Sequence, residues 1–405
     1  MTDSQPTAES PPPEGPTSPT ETTPRTEITP RTETAPPAES PPAGSIAGQL
    51  AYTSYLRVVA IIGVVLIHTA GVTYGNHELR HTGVWWVASL ATFSTKWAVP
   101  TFVMVSGALL LRPPVDRTVS LFYRRRLSRI GIPLVVWHIV YITITATILT
   151  PAVPPRKILS RFLRGESYTG LYFFWLILGL YVITPLLWPL VEATSRRALG
   201  VVGALLMATS ALNQSAWNVI SRLEGGSSPA GDPTLFTQFV PYIGFFILGY
   251  AMRDVIVRGT GRVLALAALT LALCLELTWQ VTGPFVFGIP AANRLNILMP
   301  VSYQGWVLGA AAVAVFVLAH SVMHPQSRWA QPRAARWARA VGDLALGVYA
   351  THQVVLIALM RIPGHNWPQG AKTLPQLVAL CTATLLGAVV MTMVIKRIPL
   401  LRRSV

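Results

Sequence analysis

Charge is scarce in this chain. Only 12% of its 405 residues are charged, against about 25% in soluble domains, which argues against a water-exposed globule. Cysteine is scarcer still: Cys274 and Cys381 are the only two, both in apolar stretches. They supply neither a disulfide framework nor metal-ligand spacing, so no metal site is expected. Lysine is almost absent, with 4 lysines against 28 arginines. Acids are few as well, 16 Asp+Glu against 32 Lys+Arg, for a formal net charge of +16. The excess cations fall in short loops between apolar runs, where membrane topology demands them; a nucleic-acid partner is therefore not implied.

What remains is hydrophobic. Apolar residues make up 52% of the chain and mean hydropathy is +0.48. Runs of about 20 apolar residues, each long enough to cross a bilayer, recur after position 50. The reading is an all-α, polytopic membrane protein with about ten transmembrane helices. Residues 1–48 belong to a different regime, rich in Pro, Thr, Ser and Glu, with Thr-Pro-Arg-Thr-Glu at Thr23 and again at Thr29. Such a segment buries too little apolar surface to offset its ordering entropy, so a disordered cytoplasmic tail is expected there, with residues 49–405 as one transmembrane domain. The tail carries seven acids and two arginines. It lacks a basic cluster followed by an apolar core, and so does not read as a signal peptide.

The apolar pattern predicts spans at roughly 52–74, 86–111, 127–150, 171–191, 198–213, 236–252, 263–282, 298–322, 341–360 and 374–396. Arginines crowd the loops after the second, fourth, sixth and eighth spans, and Arg402 and Arg403 follow the tenth. The intervening loops are poor in cations except for Arg156, Lys157, Arg161 and Arg164. Both termini are therefore expected to be cytoplasmic, in a multi-pass protein of the cell membrane.

Depth along the helices singles out a few polar residues. Arg57 and His68 lie eleven positions apart on the first span, a rise of about 16 Å. This puts a fixed cation near one membrane face and an imidazole near the midplane. Glu276 is the one acid well inside an apolar run, at a similar height, and His138 and His352 share that layer. Ionisable groups in hydrocarbon are costly and point to function. For Glu276 two readings stand: it neutralises a buried cation such as Lys96, or it orients an imidazole by accepting its N–H. For His138 an interhelix hydrogen bond is the plainer reading. At the cytoplasmic face Arg124, Arg125, Arg126 and Arg129 stand within two turns; topology alone, or a phosphorylated ligand gripped by planar guanidinium forks, would explain them.

These residues resemble the acyltransferase-3 family of integral membrane O-acyltransferases. The likeness runs through Arg57-x10-His68, Val99-Pro100…Ser106-Gly107, Arg124-x-Arg126, Phe174-Trp175…Tyr181…Thr184-Pro185, Phe245…Gly249-Tyr250 and Gly347-Val-Tyr349-Ala-Thr-His352. It spans residues 52–396 in order. The last motif departs from the Tyr-Leu-x-His of many relatives, so His352 matches by spacing more than by wording.

The resemblance implies transfer of an acyl group, usually acetyl, from cytoplasmic acyl-CoA to a hydroxyl of an envelope polysaccharide or glycolipid, trehalose monomycolate among the acceptors. It implies that Arg57, Arg124 and Arg126, with Arg129 beside them, hold acetyl-CoA as co-substrate, and that His68 is general base or transient acyl carrier. Glu276 as partner of His68 is an inference from depth. His352, Trp175 and Tyr349 are expected to line the acceptor side. The chain ends nine residues after its last span, so no fused extracellular esterase-like domain is expected. A transporter or flippase for a glycan or lipid-linked sugar, using the same midplane residues, is the alternative.

Overall fold

The computed structural model describes residues 51–114, 118–149, 153–165, 167–224, 233–282, 302–324, 327, 329, 331–362 and 370–405. The tail expected over residues 1–48 and the start of the eighth span lie outside them. The described residues form helices and connecting turns with no strand among them. In chain order the helices are α1 (Ala51–Gly75), α2 (Gly83–Phe93), α3 (Ala98–Leu110), α4 (Val119–Ile144), α5 (Pro155–Leu163), α6 (Tyr172–Ala193) and α7 (Arg196–Leu223). They continue with α8 (Ile243–Ala251), α9 (Thr260–Leu277), α10 (Trp306–Val322), α11 (Pro332–Gly342), α12 (Ala345–Met360) and α13 (Leu374–Arg397).

Six of these are long and apolar enough to cross a membrane, and the bent pair α11–α12 makes up to seven. The expected ten regions all fall on helices, but two of the helices are short: α8 with 9 residues and α10 with 17. A third expected span, 86–111, is not one helix. It breaks at Ser94–Trp97 into α2 and α3. Pro100 has no N–H to donate and sits in the first turn of α3, where that loss costs no intrahelical bond. The break also frees Lys96 to turn aside. The expected span 341–360 begins later, at Ala345, after a 47° bend between α11 and α12. Asp343 sits in that bend.

Helix α1 is the centre of the fold. It contains no proline, and it packs against α2, α3, α10, α11, α12 and α13. Its buried face, Leu56, Ala60, Ile61, Val64 and Val65, belongs to the main apolar core. The helix pair α3 and α8 approaches unusually closely. A methyl group at Gly107 would run into the Phe246 carbonyl, and one at Gly249 into the Met104 carbonyl. Small residues at such a crossing let two backbones pack where no hydrophobic driving force is available between helices. Two of the sequence motifs, Ser106-Gly107 and Phe245…Gly249, are therefore one structural contact.

Helix α5 was read only as a loop with anomalous cations. It is amphipathic: Arg156, Lys157, Arg161 and Arg164 are exposed on one side, while Phe162 packs edge-on to His138 and Trp175 at 5.9 Å. Leu159 and Leu163 stay exposed. A basic helix of this pattern suits a membrane interface, which accounts for cations in a loop that charge topology alone left unexplained.

Candidate functional site

Two residues of α1 organise the site. Near its start Arg57 reaches across to the α11–α12 bend, with Nη1 3.3 Å from Asp343 Oδ1 and Nη2 donating to Ser54 Oγ at 3.2 Å. Its Nε is buried without a partner, a donor left over after the ion pair is made. Arg57, Arg126 and Arg129 line a cavity of about 300 Å³ whose remaining wall is largely apolar, including Phe102, Phe173 and Tyr349. Arg124 faces elsewhere. With Arg129, Lys396, Arg402 and Arg403 it lines an adjoining basic cavity of about 670 Å³. The four arginines expected to act together thus split between two neighbouring cavities joined at Arg129.

Eleven residues on, His68 lines a smaller cavity of about 120 Å³. Phe102, Phe173 and Tyr349 belong to both this cavity and that of Arg57, so the two cavities adjoin at three aromatic rings. On its other side the His68 cavity is bounded by Thr169, Gly170 and Tyr172, which also line an open cavity of about 570 Å³ with Thr145, Leu149 and Arg161. Gly170 has φ +92°, and a Cβ there would stand 3.3 Å from His68 Nε2. The loop before α6 therefore lies directly over the imidazole, and only glycine adopts this backbone without crowding it. The Tyr349 hydroxyl donates to the Gly170 carbonyl, tying α12 to the same loop.

His352 stands beside His68, with ring centroids 5.3 Å apart. Its Nδ1 is 2.7 Å from the Tyr349 carbonyl. A carbonyl only accepts, so Nδ1 carries the proton and Nε2 presents a lone pair. That Nε2 is buried and unpartnered, an uncommon condition for a buried polar atom. His352 thus comes to the centre of the site rather than to its acceptor edge.

For the other midplane residues the structure selects the plainer of the readings. Glu276 does not orient His68. It is fully buried, with Oε1 3.0 Å from Lys96 Nζ, and the ammonium also lies over the Phe93 ring at 4.2 Å. A carboxylate this deep needs a cation, and the break between α2 and α3 delivers one. Glu276 remains close to the site at one remove, because Tyr303, which interacts with it electrostatically, lines the His68 cavity. His138 makes the interhelix hydrogen bond that was its plainer reading: Nδ1 meets the Leu134 carbonyl at 2.7 Å, and Nε2 accepts from Trp175 Nε1 at 2.9 Å. Trp175 is accordingly held by His138 and is not among the residues lining the four cavities. Sequence reasoning missed Gly170, Tyr172, Tyr303 and Lys396, which no motif marked.

The four cavities follow one another across the molecule. Arg126 and Arg129 lie near the start of α4, whereas Thr145 and Leu149 lie just beyond its end. The roughly 20 residues between them rise about 30 Å, the thickness of a bilayer's hydrocarbon core. The arginine cavities and the Arg161 cavity therefore open at opposite ends of the bundle, with His68 between. Compared with protein-family models, residues 50–393 match the acyltransferase domain of this type. The chain belongs to the acyltransferase-3 family. A search of the curated proteins and one of solved structures found no match. Family membership and the long apolar helices make this a multi-pass membrane acyltransferase. In this acyltransferase the matched region contains Arg57, His68 and His352, while Lys396, Arg402 and Arg403 of the basic cavity lie beyond it.

Proposed function

We propose that this protein transfers a short acyl group, acetyl in the first instance, from cytoplasmic acyl-CoA to a hydroxyl of a cell-envelope polysaccharide or glycolipid. The observation that carries this reading is the position of His68, between an arginine-lined cavity at one end of the bundle and an open cavity at the other. Acyl-CoA carries phosphates on one end and a thioester on the other. Arg57, Arg126 and Arg129 suit the phosphate-bearing end, and the buried, unpartnered Nε of Arg57 is a donor free for it. Arg124, Lys396, Arg402 and Arg403 extend the positive surface around the entrance. The rise of about 16 Å from Arg57 to His68 suits a pantetheine arm reaching upward with its thioester.

His68 acts as general base. Its Nε2, beneath Gly170, takes the proton of the acceptor hydroxyl as the oxygen attacks the thioester carbonyl carbon. A carbon–oxygen bond forms and the carbon–sulfur bond breaks. The departing thiolate recovers the proton from the imidazolium, giving free CoA and the acylated acceptor. His352 stands where the carboxylate was expected: its bare Nε2, on a ring 5.3 Å from that of His68, is the acceptor available to the N–H of the other His68 nitrogen once the two rings turn toward each other. The acceptor enters from the Arg161 cavity beside α5. In this reading the chain crosses ten times with both termini cytoplasmic, α8 and α10 being short crossings, and the arginine cavities then face the side where acyl-CoA is made.

The test is transfer of label from radiolabelled acetyl-CoA into the lipid and glycan fractions of membranes containing the protein. His68→Ala is expected to abolish transfer at normal expression. A glycan transporter would leave label untransferred by the unaltered protein, and full transfer by His68→Ala would refute the assigned base.

A further inference from the structure

The His68 cavity is small, and its walls show why that matters. Val64 and Ile67 of α1, Val99 and Phe102 of α3, Phe173 of α6 and Tyr349 of α12 surround it with apolar surface. The three rings that separate it from the arginine cavity touch in series: Phe102 to Phe173 at 5.9 Å and Phe173 to Tyr349 at 5.2 Å between centroids. Tyr349 is pinned, its hydroxyl on the Gly170 carbonyl and its ring edge-on to Phe174 at 5.2 Å. Phe102 is half-buried, with its ring against that of Phe173. It is the one ring of the three that reaches the neck from α3.

We propose that Phe102, Phe173 and Tyr349 form a neck that closes behind the acyl group, making the His68 cavity a length-selective acyl pocket that admits short-chain acyl-CoA and rejects longer chains. The claim rests on the acyl-CoA reading above and adds to it the residues that set the chain length. An apolar cavity of about 150 Å³ takes up a molecule of benzene size, about six carbons. The His68 cavity, about 120 Å³, must hold the acyl group together with the hydroxyl-bearing carbon of the acceptor. That leaves space for an acyl group of roughly two or three carbons. A longer chain has to extend past the rings into the arginine cavity, where the pantetheine arm already lies. Truncating Phe102 removes one of the three rings shared by both cavities and gives a longer chain somewhere to fold.

The experiment offers membranes an equimolar mixture of acetyl-, butyryl- and hexanoyl-CoA, each labelled in the acyl group, and reads the ratio of chain lengths transferred. Because each variant is compared with itself, loss of expression or overall rate does not enter the ratio. The unaltered protein is expected to transfer acetyl over hexanoyl by at least about 100-fold, several methylenes each contributing to exclusion. Phe102→Ala is expected to raise the hexanoyl-to-acetyl ratio by at least about tenfold. Phe102→Leu, a milder truncation, reads the same ratio with a smaller rise and serves where the alanine variant fails to accumulate. Equal transfer of hexanoyl and acetyl by the unaltered protein, dependent on His68, would overturn the pocket and leave the acyltransferase reading standing. An unchanged ratio in both Phe102 variants would overturn the neck. No transfer from any acyl-CoA would remove the acyl-CoA reading and the pocket with it.

Discussion

The ion pair between Lys96 and Glu276 gives the sharpest test of how this bundle is held together. Both groups are desolvated: Glu276 is fully buried, and the Lys96 side chain is 16% exposed. Removing one partner of such a pair leaves an uncompensated charge and costs about 3–5 kcal/mol, whereas replacing both with apolar residues of similar volume is close to neutral. The two single losses are not equivalent here. Glu276→Gln leaves an ammonium that still has the Phe93 ring 4.2 Å away, a cation–π contact of up to about 2 kcal/mol when desolvated. Lys96→Met leaves a carboxylate whose second oxygen already has no hydrogen-bond partner. Lys96→Met should therefore be the worse variant, by about 1–2 kcal/mol.

Unfolding entropy of about 2.1 cal/mol/K per residue gives roughly 0.85 kcal/mol/K for a chain of 405 residues. A loss of about 3–5 kcal/mol then lowers the thermal midpoint by about 4–6 °C. The assay is thermal unfolding of the detergent-solubilised protein, followed by intrinsic tryptophan fluorescence, together with acyl transfer in membranes. Each single variant should fall by several degrees, and Lys96→Met/Glu276→Leu should return to within about 2 °C of the starting protein. Transfer should recover in the double variant as well, because the pair supports the wall of the His68 cavity and takes no proton. If Glu276 instead oriented His68, the double variant would be as inactive as Glu276→Leu alone. That result, or a double variant as unstable as the worse single, would falsify the reasoning.

Two further outcomes follow from the same geometry. Gly170→Ala should cut transfer by at least about tenfold, because φ +92° strains alanine and its methyl stands 3.3 Å from His68 Nε2; Gly259→Ala, at φ +50° in open space, should carry similar backbone strain yet leave transfer intact. Trp175→Phe removes the donor to His138 Nε2 and should lower stability by about 1–3 kcal/mol while transfer persists within a few-fold, where a residue touching the acceptor would show a raised KM.

Height along a helix was legible in the sequence and lateral partnership was not. Helix rise is a constant, so the positions of His68, His138, Glu276 and His352 in their apolar runs pointed to one shared layer, with Arg57 about 16 Å away at one face. The same constancy helped to place the spans at 52–74, 171–191 and 374–396 within a few residues, whereas α4 begins eight residues before its expected start and α7 runs ten residues past its expected end. It says nothing about which way a side chain faces, so the choice between Lys96 and an imidazole as the partner of Glu276 stayed open. Its neighbour is set by the break at Ser94–Trp97, which turns Lys96 inward. Pro100 carried that signal but was absorbed into a continuous apolar run. The two motif segments at Ser106-Gly107 and Phe245…Gly249 were visible as motifs, yet their role as a single close helix crossing needed the third dimension. Gly170 was invisible for a related reason, since it lies in a short loop without periodicity, and its importance comes only from what sits beneath it.

The same contrast explains why the site's chemistry rests on groups with no near sequence neighbour. His68, His352 and Tyr349 come from α1 and α12, Phe102 from α3, and Gly170 and Phe173 from the loop and first turn leading into α6. Each helix was shaped by its own apolar run, and none encodes the cavity. What holds the four segments in register is a small set of polar ties at the ends of the space they enclose. Arg57 with Asp343 fixes α1 to the α11–α12 bend on one side. Tyr349 with Gly170 fixes α12 to the covering loop on the other. Between these ties the wall is apolar and the imidazole pair is left with one unpaired nitrogen, His352 Nε2. A bundle selected only for packing would fill that gap or satisfy that lone pair. Leaving both open at the one height reachable from either end of α4 is the arrangement a transfer across the membrane midplane requires.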